Sequence, residues 1–144
     1  MAEAKREIQV ACPIEHFYRV ITDFDNYTDF LSGLVAVTAK PMGENVWHVT
    51  YRIRVFKEIE YTLEMRGTPS TRLEWTLVKG DFMKSNSGEW TLSAHGPDNT
   101  IATYRVALQL NALVPASITK QLAEASLPKM MGDFKVRAES TRHA

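Results

Sequence analysis

The sequence predicts an α+β fold: a curved seven-stranded antiparallel sheet wrapped around a long C-terminal helix, with two short helices after strand 1. Three observations predict it. Apolar residues alternate with period two through residues 34–110, in segments separated by hairpin-length turns. A helical period returns from Ala116 to about Glu139. Finally, strands run in series, with the helices segregated to the ends of the chain. That order indicates an antiparallel sheet rather than alternating β–α units.

The elements follow in order. Glu7 to Ala11 alternates and reads as a short first strand. Pro13 suits the first position of a helix whose apolar face is Phe17, Val20 and Ile21. Asp23 is placed to cap a second short helix carrying Phe24, Tyr27, Phe30 and Leu31, which Gly33 ends. Leu34 to Ala39 reads as a strand and Pro41 to Asn45 as a turn. Trp47, Val49, Tyr51, Ile53 and Val55 then share one parity, with Arg52 and Arg54 on the other. After a turn near Lys57, Ile59, Tyr61, Leu63 and Met65 share a face opposite Glu58, Glu60, Glu64 and Arg66. Such alternation marks strands with one buried and one wet face.

Gly67 to Ser70 is a turn. Leu73, Trp75 and Leu77 mark the next strand, Trp90, Leu92 and Ala94 another. After Gly96-Pro97-Asp98, Ala102, Tyr104, Val106, Leu108 and Leu110 mark the last. The closing helix carries Ile118, Leu122, Ala125, Met130 and Phe134, with Pro115 in its first turn. Pro128 falls inside it and removes a backbone donor, at a cost of about 3 kcal/mol unless a kink absorbs it. A kink or break is expected there, either as a lid hinge or as a static bend.

Composition bounds the function. The 144 residues read as one domain, 1–144, 44% hydrophobic and 24% charged, which suits a folded globular chain. Seventeen basic and seventeen acidic residues cancel, which argues against nucleic-acid binding driven by bulk charge. The lone Cys12 forms no internal disulfide and, beside Pro13, reads as a small packed residue. Met1 to Gln9 lacks an apolar signal core, and no apolar run reaches the roughly 18 residues of a membrane span. A cytoplasmic protein is expected, with at most transient membrane contact.

The chemistry is sparse. His16, His48, His95 and His143 are scattered, and none stands at ligand spacing from another, so no metal site and no cofactor are expected. No phosphate loop, dinucleotide fingerprint or nucleophile elbow is present. Glu58, Glu60 and Glu64 face Arg52 and Arg54 across a hairpin and read as a solvated charge ladder rather than catalytic acids. Glu89 and Arg105 have outward parity; found inside, either would be the leading anchor for a ligand head group. The aromatic inventory says more. Trp47, Tyr51, Tyr61, Trp75, Trp90 and Tyr104 all fall on inward faces. Each alone reads as core filling. Together they line a bent sheet that one straight helix cannot fill, and the space left becomes an amphipathic cavity. Met65, Leu122 and Met130 complete the expected lining, with Met83 and Met131 as further candidates.

The order of elements carries a resemblance. The opening Ile8, Val10, Pro13, Ile14 and Phe17, and above all the segment Val20-Ile21-Thr22-Asp23-Phe24-Asp25-Asn26-Tyr27-Thr28-Asp29-Phe30, resemble the START/polyketide cyclase-dehydrase superfamily of helix-grip proteins. Trp75 and the Gly88, Trp90, Leu92 run fall where such proteins carry aromatic strand residues. Within it the chain looks most like bacterial polyketide cyclase/dehydrase-like proteins, whose relatives include coenzyme-Q-binding START proteins and ribosome-association toxins. The resemblance implies a pocket for a hydrophobic small molecule such as a lipid, isoprenoid, quinone or polyketide-like compound. One scaffold hosts many functions, so three readings stand: a non-catalytic binder or carrier, an aromatase/cyclase-type enzyme, and a ribosome- or protein-interaction module. The lack of a catalytic constellation favours the first.

Overall fold

A computed structural model describes residues 2–54, 57–121 and 127–142. The elements are β1 (Ala2–Val10), α1 (Ile14–Ile21), a 3-10 turn (Phe24–Asp29), β2 (Leu34–Gly43), β3 (Val46–Arg54), β4 (Glu58–Thr68), β5 (Arg72–Gly80), β6 (Met83–Ala94), β7 (Thr100–Leu110), α2 (Ala116–Gln121) and α3 (Leu127–Thr141). The seven strands form one antiparallel sheet in the order β1-β7-β6-β5-β4-β3-β2. Each hairpin pairs with its sequence neighbour, and β1 closes on β7.

Residues paired directly across an antiparallel ladder share a face, so register identifies the concave side. One row crosses all seven strands: Pro41, Trp47, Met65, Trp75, Gly88, Val106 and Ala4. The neighbouring row runs Gly67, Leu73, Trp90, Tyr104 and Arg6. The expected alternation of inward aromatics and outward charges thus holds across the sheet. Bulges between β2 and β3, within the β4–β5 ladder and at the start of β6 bend the strands toward the helices.

One end of this trough is filled. Phe17 and Ile21 of α1 and Met131 and Phe134 of α3 are almost fully buried in one core cluster with Val10, Leu73 and Trp90. Phe134 meets Tyr27, Phe30 and Trp90, each edge-on at 5.4 Å. A cluster of polar bonds pins the C-terminal half of α3 to the turn after β1. Glu139 accepts from the Ala11 amide at 2.8 Å, and Arg142 donates to the Ala11 carbonyl at 2.9 Å. Lys135 donates to the Gln9 carbonyl. His16 Nε2 reaches the Ala138 carbonyl at 3.1 Å and Thr141 Oγ1 at 2.9 Å. Thr141 spends its own proton on the Arg137 carbonyl, so the protonated Nε2 of His16 is the donor to both.

Several local expectations are corrected. β1 is nine residues long and begins at Ala2, which brings Ala4 and Arg6 onto the concave face. Strand β2 continues through Pro41 to Gly43, because an edge strand tolerates a missing donor; the turn is tighter, with Asn45 at φ 57°. Asp23 does not cap a backbone amide. Both its carboxylate oxygens accept from the Asn26 side chain at 2.9 and 3.0 Å, and the segment after it is 3-10 rather than α. Pro128 lies within α3, next to residues that fall outside the description. The segment that would show the kink or break expected at Pro128, residues 122–126 with Leu122 and Ala125, lies outside the described residues, as do Val55 and His143.

Candidate ligand-binding site

The concave face sorts into a packed part and an accessible part. Trp90 is 2% exposed, Met65 3% and Trp75 5%. A side chain bordering a space large enough for water would show more surface than this, so these three are wall structure. Trp90 is held edge-on by Phe17 and Phe134. Trp47 is half-buried and meets Phe24 at 5.2 Å, beneath the 3-10 turn. Tyr51 is buried; its ring stacks on Tyr61 at 5.1 Å and its hydroxyl points to the Met65 sulfur at 4.0 Å.

Tyr61, Tyr104 and Met130 are the expected lining residues that keep accessible surface, together with Trp47. Tyr104 lies against Trp75 at 5.2 Å and Trp90 at 5.0 Å. Neither Tyr61 nor Tyr104 makes a side-chain hydrogen bond to another described residue, and neither hydroxyl is a fully buried unpaired atom. Two partly accessible phenol groups of the concave face thus have no hydrogen-bond partner among the described residues. Burial pushes the pKa of both hydroxyls upward, as it does for Tyr27 and Tyr51. They remain neutral at physiological pH, able to donate or accept a hydrogen bond but poor as proton-abstracting bases. Tyr27, by contrast, donates its hydroxyl to the Ile21 carbonyl, and the Tyr18 hydroxyl is buried without a partner among the described residues.

Two features of this wall escaped sequence reasoning. Asn86 is buried, and register opposite Leu108 puts it on the concave face, where its Oδ1 accepts the Trp75 indole proton at 3.2 Å. Its even parity with Gly88 and Trp90 was the available signal. Gly88 lies opposite Trp75, and a Cβ there would stand 2.6 Å from the indole. Only glycine lets the indole lie across the neighbouring strand.

The convex face carries the expected charge ladder. Arg52 pairs with Glu58 and Glu60, Arg54 with Glu58, and Glu64 with both His48 and Arg66. Glu89 is bracketed by Arg72 and Arg105, around a shallow depression of about 460 Å³. His48, Glu89 and Arg105 thus belong to the convex side. A larger open groove, about 820 Å³, lies where the ends of β1 and β7 face α2, lined by residues including Arg6, Leu108, Leu110, Val114 and Lys120. Among the described residues no group of histidine, cysteine and carboxylate side chains is arranged to hold a metal. None of the described helices is long and apolar enough to cross a membrane.

A bent antiparallel sheet gripping a C-terminal helix, with an aromatic concave face, defines a START-like helix-grip protein. Residues 10–135 match the family described as polyketide cyclase / dehydrase and lipid transport, and the chain belongs to that family. Solved structures share the fold at low identity. The Zhui aromatase/cyclase from Streptomyces sp. R1128 is 14% identical with a TM-score of 0.86, over 96% of this chain and 93% of that one. A protein from Thermus thermophilus is 14% identical with a TM-score of 0.84, over 96% and 98%. A START superfamily protein from Mycobacterium smegmatis is 15% identical with a TM-score of 0.81, over 96% and 97%. No curated protein matches by sequence.

Proposed function

We propose that this protein binds or carries a hydrophobic small molecule between its concave sheet face and its C-terminal helices. The observation that carries the reading is the pair of hydroxyls on Tyr61 and Tyr104, which have no hydrogen-bond partner among the described residues and stand in a largely aromatic wall. Neutral phenols in such a wall orient a carbonyl or hydroxyl while the aromatic surface takes up the apolar body. A quinone, a polyketide-like ring system or a lipid with a polar end has this chemistry. Met130 and Trp47 complete the proposed lining among the described residues.

An aromatase/cyclase activity is the second reading, drawn from the fold shared with Zhui. Proton transfer needs a base near neutrality. The concave face offers raised phenols, and His16 is committed to α3. A ribosome partner would call for an open basic field, whereas Arg52, Arg66, Arg72 and Arg105 on the convex face are paired with carboxylates.

Titration with 2-naphthol, a neutral ring alcohol, tests the binding reading through tryptophan fluorescence. Saturable 1:1 quenching that weakens several-fold in the Tyr61→Phe/Tyr104→Phe double variant is the expected result. Linear quenching, unchanged by the double variant, would refute it.

A further inference from the structure

We infer that Arg6 anchors an oxyanion terminus of the bound molecule at the open end of the trough, so that the ligand is an amphipathic acid rather than a neutral oil. The inference rests on the binding function proposed above and names the ligand class of that same site.

Arg6 stands opposite Tyr104 in the β1–β7 ladder, so the two share the concave face. Tyr104 in turn touches Trp75 and Trp90. Arg6 thus stands one strand beyond the last aromatic of the wall, exposed and on the border of the groove. Next to it, Leu108 and Leu110 continue the apolar lining of the 820 Å³ groove toward α2, where Lys120 contributes a second cation. Glu3 and Lys5 also border the groove, but they pair with Ala107 and Arg105 and so have convex parity. No concave-parity carboxylate lines the groove among the described residues.

Every arginine of the convex ladder has a carboxylate partner, whereas Arg6 has no ion pair, hydrogen bond or ring contact among the described residues. An unpaired planar fork beside an apolar trough matches a carboxylate or phosphate carried on a hydrophobic body. Inward charges on edge strands also block edge-to-edge pairing. That role does not discriminate between ligands, and the test uses the difference.

Binding of decanoate, decyl phosphate and decan-1-ol to the full chain is measured by calorimetry, for wild type, Arg6→Gln and Arg6→Lys. Wild type is expected to prefer both anions over the alcohol, and Arg6→Gln to weaken both roughly ten-fold while leaving the alcohol unchanged, the loss of one charge-assisted contact. Arg6→Lys should fall between them. If all three ligands bind and Arg6→Gln leaves their ratios untouched, the anchor is refuted while the pocket stands. If inorganic phosphate alone displaces decanoate, the site serves a free oxyanion and the assignment to the ligand's own terminus is wrong. If none of the three binds, the pocket reading itself falls. Matching melting curves for the variants keep folding out of the comparison.

Discussion

Trp75 donates its indole proton to Asn86 Oδ1 across 3.2 Å, from β5 to β6 on the concave face, and both residues are buried. The bond fixes the plane of the indole, and Tyr104 packs against that plane. The orientation of an accessible phenol is thus set by a buried amide. Asn86→Leu leaves the indole donor unpaired in an apolar wall. Chemical denaturation should show a loss of about 1–3 kcal/mol, the cost of one stranded buried donor, with a changed near-ultraviolet tryptophan spectrum.

Gly88 holds the same indole from beneath. An added Cβ would meet Trp75 and the Arg105 carbonyl, and the latter is backbone, so the strand itself has to move. Gly88→Ala should destabilise by about 1–3 kcal/mol, as over-packing does. Gly132→Ala, where a Cβ meets nothing within 4 Å, should be neutral or stabilising. Paired unfolding curves check the contrast.

The seam between α1 and α3 should weaken in acid. Burial holds the folded pKa of His16 below its ordinary 6.5, against the pull of the Ala138 carbonyl. The folded state therefore binds fewer protons than the unfolded chain, and stability falls as pH drops from about 6.5 toward the folded value. Glu139, lowered chiefly by the Ala11 amide, adds a loss below 4.5. Melting temperatures from pH 7.5 to 5 should decline for wild type and stay flatter for His16→Gln.

Cys12 is completely buried, and burial pushes its thiol up to about 11. At pH 8 only about one thiol in a thousand is ionised, so a soluble disulfide reagent should label it only on unfolding. Rapid labelling of the native protein would contradict this placement.

Period two survives in any half-buried strand, so the side of Trp47, Tyr51, Tyr61, Trp75, Trp90 and Tyr104 was legible in the sequence. Whether each packs or stays accessible was not, because that depends on Phe17, Phe24 and Phe134 arriving from distant helices. Arg6 was missed because a charged edge strand has weak alternation. Asn86 was missed because a polar residue inside a strand reads as outward until its partner is known.

Native mass spectrometry of the intact protein, purified without detergent and then titrated with 2-naphthol and decanoate, reads directly whether the chain takes up an amphipathic small molecule. One additional mass per chain is expected, retained at low collision energy and weakened in the Tyr61→Phe/Tyr104→Phe variant. A bare chain mass at every concentration of both compounds would contradict it.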